Sequence, residues 1–397
     1  MGIRVSSVSK PFIIISIILL FIGSSLGALL MMNLFGFNLR LGFDIMTLHK
    51  IIQIDGFLTF IIMGIGYMLI PRFRNIDAPS KYYIYSTLSL MLCSLSLSLI
   101  SLVFMIDMIY SRLFMLFAIT IFGYYVFKII RIRPKLLPIA DYFVILSIIS
   151  LLSTNIMRLF DQSSTLQRIE MSLTFPLFMI FAVEYKTLPS FIGYINPNIF
   201  YTKISLIFAF LSITMGLTSL YLYELAIPFS ITLLTTVIAF DKSVYATHGF
   251  NYKSIMDRLN GLDEELTRYR FILLYIRLSY IFLYSSLLVS ILYHVYHYFA
   301  LYDLSIHLLT IGFIGITIKL YLPMMLPPII GRSIKFVRFN MIPLYLILTS
   351  LVLRIVGVFM LETKDNLLLI IGASGWLLVI ALLLYLRMVH KSMDVKI

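Results

Sequence analysis

The residues in this sequence best suited to redox or metal chemistry are its six histidines. His49 and His307 each lie about one turn inside a long apolar segment, so at ~1.5 Å of rise per residue each imidazole lies only ~6 Å below its predicted helix start. Imidazole is a common axial ligand of haem iron, and two histidines on separate helices could bind one haem with no open iron position, which suits electron transfer. The alternative is that both are interfacial histidines, hydrogen-bonded to backbone or lipid headgroups. Two more histidines, His248 and His390, lie in polar segments and are expected to be solvated.

A second pair, His294 and His297, lies three residues apart near the end of another apolar segment, within Tyr293-His294-Val295-Tyr296-His297-Tyr298. On a helix this spacing puts both rings on one face, where they could share a copper or zinc ion. Two ligands are too few for a closed site, and Asp303 is a candidate third. The other interpretation is an aromatic belt, in which tyrosine and histidine anchor a helix end at the membrane interface.

Ionisable side chains inside apolar segments form a further class of candidate, because each costs a few kcal/mol or more in hydrocarbon. Asp55, Glu170, Arg277 and Lys319 could line a proton or ion path, or could pair to hold helices together. Arg354 could neutralise a carboxylate, either Asp55 or a haem propionate. Both interpretations require helices that place these side chains inside the protein.

The elements that must position these residues are membrane-spanning helices. Hydrophobic residues make up 61% of the 397 residues and charged residues 12%, and the mean hydropathy is +1.01. A soluble domain has about twice that share of charge, so most of this surface must face lipid. The composition excludes a disordered chain, a soluble enzyme and an ordinary nucleic-acid module. The single cysteine, Cys93, permits no intrachain disulfide.

Twelve segments are long and apolar enough to cross a bilayer as helices, which needs about 20 residues each. The sequence therefore predicts an all-α polytopic membrane protein whose twelve helices form one transmembrane domain over residues 1–397. The only polar stretch of any size, residues 241–270, is predicted to be a cytoplasmic loop with a short amphipathic helix. The predicted spans are roughly 11–36, 45–71, 82–107, 111–130, 139–160, 166–190, 200–222, 224–240, 269–297, 303–328, 341–361 and 366–388.

The distribution of Lys and Arg predicts the orientation of these spans. Of the 31 Lys and Arg residues, only five fall in the segments that lie outside when the N-terminus is inside: Arg40, Arg112, Arg158, Arg168 and Lys364. Four more lie within spans, so the other 22 are on the inner side. This bias places both termini in the cytoplasm of a multi-pass cell-membrane protein. It also accounts for the net charge of +13 without a nucleic-acid partner.

Four segments resemble the NnrS family, twelve-span haem- and copper-containing membrane proteins linked to the nitric oxide response. Residues 48–72 are similar to its second helix, and also to the second helix of subunit I of haem-copper oxidases, where an outer histidine ligates the low-spin haem. Residues 307–315, followed by Gly331-Arg332, resemble the family pattern His-Ala-Leu-Thr-Val-Gly-Ala-Ile-Gly that ends in Gly-Arg. Residues 185–191 resemble its Arg-Val-Ile-Pro-Phe-Phe stretch, and residues 351–354 the segment with its helix-eleven arginine.

The resemblance implies that the twelve helices form a bundle like that of an oxidase subunit I. It also implies a haem ligated by His49 and His307, with Arg354 as a propionate partner, and copper as a further candidate cofactor. The function implied is electron transfer or a nitric oxide response near the outer face. Besides the lipid bilayer, the partners expected are a quinone or cytochrome that exchanges electrons, or other respiratory-chain subunits.

The sequence departs from the oxidase pattern in its histidines. Oxidases place copper-ligating histidines on helices six and seven and two haem-ligating ones on helix ten. Here spans six and seven contain none and span ten has one, so an oxygen-reducing copper–haem centre cannot be built. The NnrS pattern often has His-x-His in span two, where this chain has Thr47-Leu48-His49. The remaining alternatives are a membrane transporter for a metal or small solute, and a cofactor-free subunit of a respiratory complex.

Overall fold

Twelve long apolar helices dominate the computed structural model, which describes residues 6–37, 39, 44–132, 139–160, 165–192, 196–245, 252–329, 340–361 and 367–391. No strand occurs in these ranges, which confirms the predicted all-α, twelve-span fold. The spans are α1 (Ser9–Phe37), α2 (Ile45–Phe73), α3 (Lys81–Phe104), α4 (Ile109–Ile132), α5 (Ile139–Phe160), α6 (Leu166–Pro189), α7 (Ile199–Ser219), α8 (Tyr223–Val244), α9 (Glu265–Tyr296), α10 (Phe299–Pro323), α11 (Ile342–Met360) and α12 (Leu367–Lys391).

The helix ends differ most from the prediction around α9. Much of the predicted loop 241–270 is helical. A short helix covers Tyr252–Arg258, and the helix of α9 begins at Asp263. At its other end, His297 adopts a left-handed conformation that terminates α9, and Tyr298 is extended. This tight connection lets α10 begin at Phe299, four residues earlier than predicted. His307 therefore lies about two turns inside its helix rather than one.

The described residues fall into two compact units. Unit 1 contains α1 to α4, the end of α5, α11 and α12, and is formed by Met1–Pro134, Asn155–Gln162 and Leu322–Ile397. Unit 2 contains most of α5, α6 to α9 and most of α10, and is formed by Lys135–Thr154 and Ser163–Tyr321.

One helix of each unit is much more buried than the others. In the apolar stretches of α2 and α6, 83% and 78% of the residues are buried, against 33–56% in the other ten spans. These two helices carry the ionisable residues His49 and Asp55, and Glu170 and Glu184, respectively. The polar side chains are therefore placed in the protein interior, where partners can offset the cost of leaving water.

Apolar side chains cover the outer faces of the less buried helices. On α1, Ile14, Ile18 and Ile22 recur every four residues and are about half exposed. On α7, Phe200, Ile207 and Phe210 are spaced by seven and three residues and are more than half exposed. Continuous apolar surface of this kind would be unstable in water and is expected where a helix faces lipid.

Two spans contain a π-helical segment close behind a histidine. In α2 the segment Ile51–Leu58 begins two residues after His49, and in α10 the segment Leu308–Gly315 follows His307 directly. π-Helical turns are rare and occur mostly at functional sites, because each widened turn sacrifices regular hydrogen bonding. The two predicted haem ligands thus share an unusual local backbone setting, each in its own unit.

Candidate functional site

A side-chain cap fixes the beginning of α2, four residues before His49. The carboxylate of Asp44 accepts a hydrogen bond of 3.0 Å from the backbone N–H of Thr47 and another from the Thr47 hydroxyl. Partial burial raises the pKa of Asp44, but the hydrogen bonds from Thr47 and the charge of Lys50 outweigh it, and the pKa lies below its usual value. The cap is therefore ionised at neutral pH, which favours a helix start here.

The imidazole of His49 is oriented by the backbone of α1. Its Nδ1 lies 2.8 Å from the carbonyl oxygen of Gly23. A carbonyl oxygen only accepts hydrogen bonds, so Nδ1 must carry the proton. In the neutral ring the lone pair is then on Nε2, which is the tautomer that ligation through Nε2 would require.

Two glycines of α1 provide the space for this arrangement. A Cβ atom added at Gly27 would lie 2.8 Å from Cε1 of His49, and one at Gly23 would lie 2.7 Å from Nε2 of Gln53. The Gly-x-x-x-Gly spacing lets α2 approach α1 closely enough for the hydrogen bond from His49. The motif is present in the sequence, but the sequence alone does not relate it to the position of His49.

His307 in unit 2 has the same kind of partner. Its Nδ1 lies 2.6 Å from the carbonyl oxygen of Asp303, one turn earlier on α10, and 3.3 Å from the carboxylate oxygen Oδ1 of the same residue. An ionised carboxylate, like a carbonyl, only accepts, so Nδ1 is again the protonated nitrogen. The side chain is 16% exposed, and its Asp303 contacts place this aspartate beside His307 rather than with the second histidine pair.

Both predicted haem ligands therefore have the tautomer that ligation through Nε2 requires. Metal-binding histidines usually donate the other N–H to a carbonyl or carboxylate, which fixes the ring and makes it a better ligand. Among the described residues, no group of three or more His, Cys, Asp or Glu side chains could hold a metal ion. A haem needs only two axial protein ligands, so a histidine pair fits this donor set.

Arg354 is buried in α11, with 6% of its surface exposed. Asp55, one of the carboxylates considered above as its counter-ion, is paired with Arg158 at 2.7 Å within unit 1. The carbonyl of Arg158 in turn accepts a hydrogen bond of 2.7 Å from Arg112. The Asp55 charge is thus compensated by a residue of α5 that the sequence gave no reason to select.

The second histidine pair belongs to a hydrogen-bonded chain in unit 2. Nε2 of His294 lies 3.0 Å from the Glu170 carboxylate, and its Nδ1 lies 3.1 Å from the hydroxyl of Tyr223. The same hydroxyl lies 3.0 Å from Nδ1 of His297. Because both ring nitrogens of His294 already have partners, these donors do not fit the copper site suggested by the i, i+3 spacing. The left-handed His297 is also not on the helix face that this argument assumed.

Two further carboxylates, the buried Glu184 and the half-buried Asp241, lie towards the other ends of α6 and α8. Tyr280 donates a hydrogen bond of 2.7 Å to Glu184, and Tyr284 donates one of 2.8 Å to Asp241. Arg277, predicted as part of a polar path, lies 3.4 Å from Asp241. These contacts favour pairs that join helices of unit 2 over an open ion path.

The comparisons with known proteins agree with this architecture. A family model described as NnrS protein matches residues 18–391, from within α1 to the last residue of α12. No curated protein matches the chain. Because the family match covers nearly the whole sequence and all twelve spans, this multi-pass membrane protein belongs to the NnrS family.

Proposed function

We propose that this protein binds haem through Nε2 of His49 and Nε2 of His307 and uses it for electron transfer or in a nitric oxide response. The observation that supports this most is the shared protonation pattern of the two imidazoles. In each ring a backbone carbonyl accepts from Nδ1, at Gly23 for His49 and at Asp303 for His307. The bound haem would supply a one-electron redox centre.

The residues of the chain have separate tasks in this proposal. The carbonyls of Gly23 and Asp303 orient the rings, and Gly27 leaves room for His49. The π-helical segments behind both histidines locally change the path of the backbone. Arg354 has five N–H donors, enough to bind a propionate in addition to protein groups.

Binding of both histidines to the iron would leave no position for oxygen, so electron transfer is the role that these residues favour. A quinone or a cytochrome would then exchange electrons with the haem. A nitric oxide response is the alternative, and it is supported only by the resemblance noted in the sequence.

The test is a reduced-minus-oxidised visible spectrum of the protein purified from cells supplied with haem. We expect narrow low-spin bands and slow reaction with carbon monoxide. His49→Ala and His307→Ala should each remove the haem or convert it to a high-spin, ligand-accessible form. His390→Ala is the matched control, because this histidine lies at the exposed end of α12. Wild-type protein that purifies without haem, or an unchanged spectrum in either variant, would refute the assignment.

A further inference from the structure

We propose that unit 2 contains a proton-binding site at Glu170 that exchanges protons with the surface through His294, Tyr223 and His297. No haem is needed for this site, and its residues are separate from His49 and His307. The hydrogen-bonded series begins at His297, at the end of α9 that the distribution of Lys and Arg predicts to be outside the cell.

The chain of contacts runs without a break from the surface to the interior. His297 is exposed and Tyr223 is half-buried, whereas only 2% of His294 and 8% of Glu170 is exposed. The three links measure 3.0 Å, 3.1 Å and 3.0 Å, each within hydrogen-bond range. Every member can both give up and take up a proton, which a conducting chain requires.

The Tyr223 hydroxyl makes the direction of this chain reversible. It carries one proton and touches two Nδ1 atoms, so it donates to one imidazole and accepts from the other. When the hydroxyl donates to Nδ1 of His294, the single N–H proton of that neutral ring is on Nε2, which donates to Glu170. When the hydroxyl donates to His297, Nδ1 of His294 is protonated, and in the neutral ring Nε2 accepts from a protonated Glu170.

Uptake of a proton proceeds by a shift along these bonds. A proton from water binds Nε2 of His297, whose Nδ1 proton moves to the Tyr223 oxygen. The tyrosine proton moves to Nδ1 of His294, and the Nε2 proton of His294 moves to Glu170. The result is a protonated Glu170 and three neutral side chains, so one proton enters and one is stored.

Glu170 is satisfied in both of these states without movement of heavy atoms. Its Oε1 accepts a hydrogen bond of 2.9 Å from Ser290, which lies 3.2 Å from Ser230. Its Oε2 accepts from His294 when ionised and donates to it when protonated. The carboxyl therefore has hydrogen-bond partners both before and after it gains a proton.

Among the described residues, the other ionisable groups on the segments around Glu170 include tyrosines, one arginine and one aspartate. Tyr293 of α9 and Tyr302 of α10 interact electrostatically with its carboxylate, and Asp303 lies next to Tyr302. Arg168 is buried two residues earlier on α6. Tyrosine is neutral and arginine charged near neutral pH, so the proton is exchanged among Glu170 and the two histidines.

The left-handed backbone of His297, which ends α9, places its ring beside Tyr223. Its φ of 55° is left-handed, a conformation that is uncommon for residues other than glycine. Glycine is the usual residue at such a helix end. A histidine is present here, and its ring reaches Tyr223.

The experiment is infrared difference spectroscopy of the full chain in lipid nanodiscs after a rapid pH jump. Isotope-labelled glutamate identifies carboxyl bands, and Glu170→Gln should remove the band that follows pH. Glu184→Gln is the matched control, because it removes another buried carboxyl of the same helix. Tyr223→Phe should keep the band but slow its appearance by about tenfold or more, since one link is missing. His297→Gly, which suits the left-handed backbone, should slow it similarly.

The proposal is overturned if no carboxyl band changes over the pH range in which the protein stays folded. It is equally overturned if the band follows pH as fast in Tyr223→Phe as in the wild type, because the proton would then reach Glu170 without passing through Tyr223. The Tyr223→Phe comparison needs no assignment by Glu170→Gln, so it remains decisive if that variant does not fold. Repeating the measurement on His49→Ala separates failure of this proposal from failure of the haem proposal.

Discussion

Gly27→Ala is the substitution that tests most directly whether the packing of α1 against α2 fixes the position of the His49 ring. The added Cβ would lie 2.8 Å from Cε1 of the imidazole, whereas carbon atoms in contact are ordinarily about 3.5–4.0 Å apart. The ring must therefore move by roughly 0.7 Å or more. Its hydrogen bond to the Gly23 carbonyl, now 2.8 Å long, would be stretched or lost.

Overpacking of this kind costs about 1–3 kcal/mol. If that cost falls on the haem-bound state, haem affinity should decrease by roughly 5- to 150-fold. Alanine also favours a helix over glycine by up to about 1 kcal/mol, so the comparison needs a control with the same gain. Gly23→Ala provides it, because its Cβ would meet the Gln53 side chain, 2.7 Å from Nε2, so that any steric cost falls on Gln53 and not on the imidazole.

The assay is titration of purified haem-depleted protein with haem, followed through the visible spectrum. Thermal unfolding of the same samples without haem reports the steric cost alone. We expect Gly27→Ala to bind haem more weakly and to unfold at a lower temperature than Gly23→Ala. Equal haem affinities and equal unfolding temperatures would refute the packing argument. Equal haem affinities with unequal unfolding temperatures would refute only the role of His49 as a ligand.

Three other predictions concern the haem potential, the cap of α2 and the topology. Arg354→Leu should retain haem but lower its midpoint potential by roughly tens of millivolts, since loss of a positive charge stabilises the oxidised iron. Arg354→Lys keeps the charge and should leave the potential unchanged, and a potentiometric titration measures both variants. Asp44→Ala should destabilise the protein by about 1 kcal/mol at neutral pH. Because the pKa of Asp44 is lowered on folding, its ionised form stabilises the protein above the ordinary carboxyl pKa, and this contribution is lost as pH falls through the lowered value; unfolding temperatures of the wild type and Asp44→Asn should therefore converge in acid. A reporter fused after His390 should be cytoplasmic and one inserted between residues 362 and 366 external, and the reverse result would overturn the charge-based orientation.

The twelve spans could be predicted from the sequence because hydropathy is a local sum. A stretch such as α12 contains enough apolar side chains to identify it without knowledge of its neighbours. The candidate ligands His49 and His307 could also be selected locally, since any imidazole inside a span is unusual. Helix ends were harder to place: α10 begins at Phe299 because the left-handed His297 makes a tight connection, which hydropathy does not report.

The partners of these residues could not be predicted, because they come from distant parts of the chain. Tyr223 is 71 residues from His294, and Arg158 is 103 residues from Asp55. Tyrosine and arginine near helix ends are common in membrane proteins, so neither had a pattern that distinguished it. The π-helical segments were equally hidden, because an extra residue in a helical turn leaves the apolar composition of a span unchanged.

What distinguishes the two histidine pairs is the kind of atom that each ring contacts. His49 and His307 donate to backbone carbonyls, which cannot return a proton, so the tautomer of each ring is the one with the proton on Nδ1. His294 and His297 share a tyrosine hydroxyl, which both donates and accepts, so either ring nitrogen of His294 can carry the proton. A fixed tautomer suits a metal ligand, and an exchangeable one suits proton transfer. Replacing Tyr223 by Phe should therefore affect proton exchange at Glu170 and leave the haem spectrum unchanged, whereas Gly27→Ala should do the opposite.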